Sequence, residues 1–406
     1  MYDAIIVGAR CAGSPTAMLL ARQGFKVLLV DRATFPSDTV STHILWPHGA
    51  EILAQWGLLD ALAATGAPPI CRHMTFDVGP FALRGAIPDA NDGMGGFCPR
   101  RTVLDHLLAN AAAEAGVEVR EGFTVDELLT TDDMVMGVRG HGRDGAAVEE
   151  HARIVIGADG VNSLIARAVR APEYDVRPVA ACGYYSYFSG IRQDDIELYV
   201  RDHHAFGGAP TNDGLHLVMV NWPAKEFPAV RADIDGHVWR ALDSAPDFAA
   251  RVREGRREEK WYGTAGVPGY FRKPYGKGWA LVGDASYDRD PITAQGISDA
   301  FIDAEMLATA LSAGWSGIGT LEDLLANDEA ARNERVRPMY EFTGHLAALE
   351  PPPPEMRALF GALHGNQDAT NAFLSAITGA IPLADFMSTE NLGRIMAAAK
   401  SVKVQK

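Results

Sequence analysis

The chain has 406 residues, 47% of them hydrophobic and 22% charged, so it is long enough to bury one large core or two smaller ones. Its formal net charge of −15 argues against a nucleic-acid surface, which would need a basic face. No CxxC pair is present, so the sequence indicates neither a zinc ribbon nor a redox dithiol, and we expect no bound metal. The cysteines are Cys11, Cys71, Cys98 and Cys182.

Nothing in the sequence predicts export or a membrane span. The N-terminal run MYDAIIVGA is apolar, but Asp3 interrupts it, and it lacks the basic start and longer apolar stretch of a signal peptide. The longest apolar runs elsewhere are far too short to cross a bilayer. Scattered thiols in a chain of this size fit a reducing compartment. We therefore expect a cytoplasmic enzyme.

The N-terminal residues predict a nucleotide-binding βαβ unit. Residues 2–7 (YDAIIV) form an apolar run typical of a buried parallel strand, followed by a glycine turn, a helix and a second strand that ends at Asp31. Gly8 permits the tight turn, and Gly13 lets the helix pack closely on the strands. The N-terminus of the helix offers unpaired N–H groups and a positive dipole end to a pyrophosphate. Asp31 would accept hydrogen bonds from ribose hydroxyls.

The middle glycine of this dinucleotide-binding fingerprint is replaced by Arg10. That glycine normally lets the backbone approach the phosphates, so its loss changes the fine geometry of the turn. Arg10 either contacts phosphate itself or is a solvated arginine. We also assign Ala12, in the same turn, and Arg32, directly after Asp31, to the cofactor site.

Two distant segments make the nucleotide prediction more specific. Residues 152–167 (ARIVIGADGVNSLIAR) are typical of a buried strand followed by an Asp-Gly turn. Residues 278–304 (GWALVGDASYDRDPITAQGISDAFIDA) are typical of another strand, a Gly-Asp turn and a helix. With the N-terminal turn, these segments resemble the three fingerprints of FAD-dependent aromatic hydroxylases of the p-hydroxybenzoate hydroxylase type. The resemblance covers most of the chain.

The resemblance implies FAD as the cofactor, with contacts from particular side chains. Arg101, at the start of a predicted helix, resembles the arginine that contacts the FAD phosphate region, and the neighbouring Arg100 fits the family spacing less well. Asp284 resembles the carboxylate that holds the ribityl chain, although a helix N-cap would also explain it. Asp159 resembles an aspartate associated with both FAD and NAD(P)H. The other residues implied at the cofactor are Gly283, Pro291, Gln295, Gly296 and Ile297.

The helix after the third motif, predicted over residues 298–311, is expected to point its N-terminus at the pyrimidine end of the flavin. There it would stabilise the negative charge that develops on reduction. The family often has histidine where this chain has Tyr287. Residues 287–290 are therefore either a local variant beside the flavin or a solvated loop.

Residues 74–97 and 180–261 show strand-like alternation interrupted by turn residues. In the resembling family, these insertions form an antiparallel sheet that covers the flavin and lines the substrate pocket. His43 and His48 offer an acid or base near neutral pH, although a surface or capping role would also explain either one. The other candidate catalytic or pocket residues, each of which a core position would also explain, are Tyr185, Tyr187, His216, Met219 and Asn221.

We therefore predict an α/β fold, with a Rossmann-like FAD-binding domain of the glutathione-reductase type, an inserted antiparallel-sheet substrate domain and C-terminal helices. Residues 321–340 are typical of a charged surface helix, and 355–399 of helices that either fold over the FAD domain or contribute to a homodimer interface. The predicted domains are FAD-binding at 1–70, 98–175 and 262–345, substrate-binding at 71–97 and 176–261, and helical at 346–406.

The resemblance implies a single-component monooxygenase in which NAD(P)H reduces FAD and O₂ forms a flavin C4a-hydroperoxide that hydroxylates a small, aromatic or electron-rich substrate. The main alternative is a geranylgeranyl reductase-like flavoprotein that saturates an alkene. A glutathione reductase-type enzyme would carry a second nucleotide fingerprint and a cysteine pair. A flavin halogenase is less well indicated, because the glycine turn has no lysine and no paired tryptophans are present. A protein that merely stores or senses FAD would not need so full a site.

Overall fold

A computed structural model of the chain describes residues 1–67, 69–70, 72–87 and 95–404. Cys71 and residues 88–94 of the predicted strand-like stretch 74–97 lie outside the described residues. The strands are β1 (Tyr2–Val7), β2 (Val27–Asp31), β3 (Pro69–Ile70), β4 (His73–Asp77), β5 (Ala82–Ala86), β6 (Gly96–Phe97), β7 (Glu118–Glu121), β8 (Thr124–Thr131), β9 (Met134–His141), β10 (Ala147–Gly157), β11 (Glu173–Arg177), β12 (Ala181–Ser189), β13 (Ile196–Arg201), β14 (His204–Pro210), β15 (His216–Pro223), β16 (Arg256–Arg257), β17 (Tyr262–Thr264), β18 (Gly269–Arg272), β19 (Tyr275–Gly276), β20 (Trp279–Leu281) and β21 (Tyr287–Asp288).

Helices cover these strands and form the C-terminal part of the chain. They are α1 (Gly13–Arg22), α2 (Pro47–Gln55), α3 (Leu59–Ala64), α4 (Arg101–Glu114), α5 (Leu164–Ala168), α6 (Phe227–Ala232), α7 (Ile234–Leu242), α8 (Pro246–Glu254), α9 (Gly296–Trp315), α10 (Leu321–Ala347), α11 (Pro354–Leu363), α12 (Gln367–Ile377), α13 (Leu383–Phe386) and α14 (Thr389–Val404). No helix among the described residues is long and apolar enough to cross a membrane.

The first sheet has eight strands, with the order β19-β20-β10-β1-β2-β7 and with β8 and β9 attached to β10. β1 pairs in parallel with both β2 and β10, and β20 pairs in parallel with β10. Helices α1, α4 and α9 bury one face, while β8 and β9 pack on the other. Because both faces are covered, the buried parts of the central strands, residues 4–7, 27–30 and 154–157, carry no charged side chain. The predicted Rossmann-like α/β fold is confirmed.

The two outer glycines of the N-terminal turn are required by close packing. Gly8 has a φ of +108°, and a Cβ atom there would lie 2.3 Å from the carbonyl oxygen of Ala158. A Cβ atom on Gly13 would lie 1.8 Å from the carbonyl oxygen of Gly8. Neither contact leaves room for a side chain. The turn therefore sits directly against the loop after β10, as the packing roles predicted for these glycines require.

The second large sheet is mainly antiparallel, with the order β16-β12-β15-β14-β13-β4-β5 and with β17 paired to β12. β12 and β15 are antiparallel neighbours, and Tyr185 lies opposite Met219. Only the β4–β13 pair is parallel among the described strand pairs of this sheet. This sheet is the predicted antiparallel insert.

The strand prediction is wrong for the last third of residues 180–261, because residues 227–254 form α6, α7 and α8. Val238, Leu242 and Ala249 are buried there at spacings typical of helices rather than at every second position. A proline stands at the first or second position of both α6 and α8, where the lost N–H costs nothing. These helices pack on the face of the sheet that carries Cys182 and Val220.

The C-terminal helices pack on the inserted sheet rather than over the FAD-binding sheet. Phe76 of β4 lies 6.0 Å from Phe360 and 5.7 Å from Phe373, measured between ring centroids. Helix α10 continues through Pro338 to Ala347, beyond the predicted end at residue 340, and it buries Val336. It is therefore more than a surface helix. The domain boundaries and the homodimer stay predictions.

Candidate functional site

A cavity of about 760 Å³ lies between the parallel sheet and the inserted sheet. Of the residues predicted to bind the cofactor, only Gly13 is not part of its lining, because this glycine is packed beneath the turn. The lining residues from that prediction are Gly8, Arg10, Ala12, Asp31, Arg32, Arg101, Asp159, Gly283, Asp284, Pro291, Gln295, Gly296 and Ile297. Three segments far apart in the chain therefore meet at one cavity.

Asp31 is held at the end of β2 by backbone N–H groups. Its Oδ2 accepts a hydrogen bond from the N–H of Ala9 at 2.7 Å, and its Oδ1 accepts one from the N–H of Ala33 at 2.8 Å. An ionised carboxylate offers about four lone-pair sites, so acceptor capacity remains for a ligand. This geometry fits the ribose contact predicted for Asp31.

Arg10 is not a solvated arginine, and its contact with phosphate stays a prediction, because the residue lines the cavity. Its guanidinium forms an ion pair with Asp105 of α4 and donates to the hydroxyl of Ser37 at 2.9 Å, and its side chain is only 25% exposed. Asp105 is completely buried and also accepts from Arg101 Nε at 3.0 Å. One carboxylate therefore orients two arginines at the cavity wall.

Asp105 was not identified from the sequence as a functional residue. The available signal was its spacing of four residues from Arg101, which places both side chains on the same side of a helix. The neighbouring Arg100 instead pairs with Glu259 at 2.7 Å and lies over the ring of Tyr187. Arg100 thus contacts the inserted sheet, in keeping with the choice of Arg101 for the cofactor.

Gly283 and Asp284 bring β20 against the N-terminal turn. Gly283 has a φ of +61°, and a Cβ atom there would lie 2.7 Å from the Cβ of Ala12. The Asp284 side chain is accessible from the cavity and makes no helix-capping bond, so the N-cap alternative is not supported. Burial within the protein raises the pKa of Asp284 to about 6, and the nearby Arg101 opposes this rise.

Residues 287–290 are not a solvated loop, because all of them are buried. Tyr287 and Asp288 form β21, which pairs with β18. The Tyr287 hydroxyl, Asp288 Oδ2 and Arg289 Nη1 have no hydrogen-bond partner among the described residues. All three side chains line the cavity, so they offer polar atoms to a ligand. This segment therefore belongs to the site.

Asp159 lies in the turn after β10 and is hydrogen-bonded to the start of α5. Its Oδ2 accepts a hydrogen bond from the N–H of Leu164 at 2.6 Å, while its Oδ1 is buried without a partner among the described residues. Ser163 caps the same helix by accepting from the N–H of Ala166 at 2.9 Å. Asp159 therefore has a structural role, and one of its oxygens remains unused.

The surroundings of the two candidate histidines do not favour an acid or base role near neutral pH. Burial lowers the pKa of His43 to about 3 and the pKa of His48 to about 4. His43 Nδ1 donates to the carbonyl of Ser41 at 2.7 Å, which leaves Nε2 to accept from the Tyr187 hydroxyl at 2.7 Å. His43 is completely buried, so a surface role is wrong for it, whereas His48 is only partly buried; neither lines the cavity.

We expect the neutral state of His43 to make the protein acid-labile. Its pKa is lower in the folded than in the unfolded chain, so its contribution is complete above about pH 6.5 and is lost as the pH falls toward 3. At pH 5 the loss is about 2 kcal/mol. Urea unfolding at a series of pH values should show a flatter profile for His43→Asn, which tolerates the φ of 64° at this position. Replacement of the exposed His151 by Gln is the control, and an equal flattening there would contradict the assignment.

Some of the pocket candidates on the inserted sheet face the cavity and others do not, in part because side chains alternate between the two faces of a strand. Tyr185, Met219 and Asn221 line the cavity, whereas Tyr187 and His216 do not. His216 points to the opposite face of β15 from Met219, because successive side chains alternate, and its Nε2 contacts the carbonyl of Gln193 at 2.9 Å. Tyr187 shares a face with Tyr185 but lies beneath His43. The same alternation could have identified Leu217 and Gly183, which also line the cavity.

Helix α9 begins at Gly296, two residues before the predicted start, and its first residues line the cavity. The Gln295 side chain, predicted to lie at the cofactor, lines the cavity and donates to the carbonyl of Ile377 at 3.0 Å. The C-terminal helices therefore help to fix the segment that precedes α9. The free N–H groups and the positive dipole end at the start of α9 suit a ligand that becomes negatively charged.

The residues present fit a dinucleotide such as FAD. The glycine turn brings backbone to the cavity at Gly8, and the residue carries no side chain that would separate the backbone from a ligand. Asp31 retains acceptor capacity, Arg101 is positively charged, and Asp284 is reachable from the cavity. Ribose, pyrophosphate and ribityl groups need complementary partners of these kinds.

Comparisons with known proteins agree with this arrangement. A family model described as "FAD binding domain" matches residues 1–343. The chain is 30% identical over 342 residues to the digeranylgeranylglycerophospholipid reductase of Methanosarcina mazei, covering 80% of this chain and 79% of the relative.

Two solved structures share the fold. The myxobacterial chondrochloren halogenase CndH superposes with a TM-score of 0.79 at 23% identity, covering 98% of this chain and 96% of the halogenase. PqsL, a probable FAD-dependent monooxygenase from Pseudomonas aeruginosa, superposes with a TM-score of 0.69 at 21% identity, covering 98% of this chain and 99% of PqsL.

Proposed function

Because the chain belongs to the FAD binding domain family, we propose that this FAD-dependent oxidoreductase is a monooxygenase that uses NAD(P)H and O₂ to hydroxylate a small organic substrate. The cavity that joins the two sheets carries the proposal. Its volume of about 760 Å³ falls within the range of roughly 300–1,000 Å³ that is typical of small-molecule sites. The dinucleotide would occupy the part between Asp31 and Gly296 and would leave the part beside the inserted sheet for a substrate.

The substrate would lie against the inserted sheet, where the wall is largely apolar. Leu217 and Met219 offer apolar contacts, and the Asn221 amide offers one polar contact that would orient the substrate. The Tyr185 ring is fixed by stacking on Tyr262 at 5.4 Å and by an edge contact with His43 at 5.1 Å between centroids. A rigid wall of this kind excludes water and holds the substrate in one orientation.

The cofactor side of the cavity would hold FAD through the residues described above. Asp31 would bind the ribose, the start of α1 and Arg101 the pyrophosphate, and Asp284 the ribityl chain. FAD supplies the oxygen-transfer chemistry when it is bound. The N-terminus of α9 would stabilise negative charge on the ring without a catalytic side chain.

A second candidate function is the reduction of an alkene, which is favoured by the Methanosarcina mazei relative. That relative is named for action on a digeranylgeranyl lipid, whereas the cavity of about 760 Å³ in this chain would have to hold the substrate together with the dinucleotide. The two reactions differ in their need for oxygen. Hydroxylation consumes O₂, and alkene reduction does not.

The test is a substrate screen that follows NAD(P)H oxidation with and without oxygen, with products identified by mass spectrometry. A hydroxylated product with substrate-stimulated oxygen uptake supports the proposal, and a saturated product formed without oxygen contradicts it. Met219→Trp should fill the substrate part of the cavity, so that turnover is lost while the flavin absorbance remains. Met134→Trp, at a site that is 43% exposed, is the matched control and should leave both unchanged.

A further inference from the structure

We propose that a buried group of charged residues in the cavity wall sets the reduction potential of the bound FAD. This group, the α9–α10 charge cluster, consists of Arg289, Asp299, Asp303 and Arg335. The inference rests on the FAD site proposed above and not on the reaction that the enzyme catalyses. Arg335 does not line the cavity, so it acts on the potential through its charge and not through contact with the cofactor.

The cluster joins three segments at the start of α9. Asp299, in the first turn of that helix, forms an ion pair with Arg289 and accepts from Arg335 Nη1 at 2.8 Å. Arg335 of α10 also donates from Nη2 to Asp303 Oδ1 at 2.6 Å. Arg335 therefore ties α10 to the first two turns of α9, and Arg289 ties the same helix to the segment after β21.

Stability alone does not explain the cluster. Arg289, Asp299 and Asp303 are each less than 9% exposed, and taking such charges out of water costs about as much as their mutual attraction returns. Apolar side chains of similar size would stabilise these helices equally well. Moreover, Asp303 Oδ2 and Arg289 Nη1 have no partner among the described residues. The charges are thus retained where a packed apolar contact would suffice.

Their position points to an electrostatic role. Arg289, Asp299 and Asp303 line the same cavity as Gly296, the first residue of α9. Reduction adds electrons to the flavin, so a nearby carboxylate disfavours reduction and a nearby guanidinium favours it. Charges at such buried sites are poorly screened by solvent and salt. The charges of two arginines and two aspartates cancel only while both carboxylates are ionised. The net charge of the cluster therefore changes when any one of the four side chains is neutralised.

Other ionisable groups face the cluster, and their protonation states must stay constant during the test. Burial raises the pKa of Asp303 despite the opposing charge of Arg335. Measurements under mildly alkaline conditions therefore favour the ionised form of this carboxylate. The other ionisable groups that act on Asp299, Asp303 or Arg335 are His48 on α2, Asp284 after β20, Tyr287 on β21, and Asp328 and Arg332 on α10.

The test is the two-electron midpoint potential of the flavoprotein, measured by anaerobic titration with dithionite and a reference dye. Asp299→Asn should shift it to more positive values, and Arg335→Gln to more negative values. Each shift should be about tenfold in the equilibrium constant, or about 30 mV for a two-electron couple. The double variant should return close to the wild-type value. Opposite signs are not expected from a general disturbance of the fold.

Arg337→Gln is the matched control, because Arg337 lies on the same helix and pairs with Asp175 at 2.8 Å on the surface. Arg335→Lys keeps the charge and should retain the wild-type potential. Asp303→Asn replaces Asp299→Asn if the latter folds poorly by thermal unfolding, and it should shift the potential in the same direction. Shifts of one sign in all variants, or shifts no larger than that of Arg337→Gln, would overturn the proposal.

The outcomes also separate this inference from the proposed function. If the wild-type protein takes up no FAD, both are overturned. If it takes up FAD and the variants show the opposite shifts, the inference stands whether or not a hydroxylated product is found.

Discussion

Replacing Gly13 with alanine is expected to abolish tight FAD binding and to destabilise the fold. The new Cβ atom would lie 1.8 Å from the carbonyl oxygen of Gly8 and 3.0 Å from the Cβ of Ala158. Neither atom belongs to a flexible side chain that could move aside, so α1 must shift away from the sheet. We expect a loss of about 3 kcal/mol in the free energy of unfolding, typical of severe overpacking. A shift of about 1 Å in the N–H groups of α1 would weaken FAD binding by about a hundredfold.

The measurements are urea unfolding of the apoprotein and titration of FAD followed by flavin fluorescence. Gly361→Ala is the matched control, because it lies inside α11 and a Cβ atom there meets nothing within 4 Å. Alanine at that position should stabilise the helix by up to about 1 kcal/mol and leave FAD binding unchanged. If Gly13→Ala bound FAD as tightly as the Gly361→Ala protein, the packing argument would be wrong.

Asp105→Asn is expected to be the most destabilising loss of a single charge near the cofactor. Asp105 is completely buried and is shared by Arg10 and Arg101, so its neutralisation leaves two guanidinium groups without their carboxylate partner. Removing one partner of a buried ion pair typically costs about 3–5 kcal/mol. Added FAD should recover part of this loss, because its pyrophosphate would supply a new anion for Arg101.

Thermal unfolding of the apoprotein and the FAD-bound protein measures both effects. The control is Asp126→Asn, which removes an exposed partner of His141 and should leave the midpoint within experimental error. Equal destabilisation by the two substitutions would refute a special role for Asp105. Failure of FAD to restore any stability to Asp105→Asn would refute the assignment of Arg101 to the pyrophosphate.

The fold could be predicted where backbone geometry determines the spacing of apolar residues and glycines along the sequence. Residues 4–7 of the first strand and 27–30 of the second are apolar without interruption, a pattern typical of strands buried on both faces. Gly8 and Gly13 are needed because two backbone segments approach too closely for any side chain. Such constraints act within a few residues of sequence, so the sequence records them directly.

The helices over residues 227–254 were not predicted, because these residues follow a true strand and their apolar residues resemble a continuation of its alternation. The charge state of His43 depends on tertiary burial, which no local pattern records. The pairing of Arg10 with Asp105 joins residues 95 positions apart, and neither residue suggests the other. Contacts of this kind become visible only when the chain is folded.

Leu217, Met219 and Asn221 of β15 face the cavity, while Val218 and Val220 face the core beneath α6, α7 and α8. Cavity-facing and core-facing positions therefore alternate along one strand. Met219 and Asn221 are only partly buried, so substitutions there could change the cavity without disturbing the core, which makes this strand a favourable target for directed evolution. A single-residue insertion would exchange the two sets and damage both properties at once.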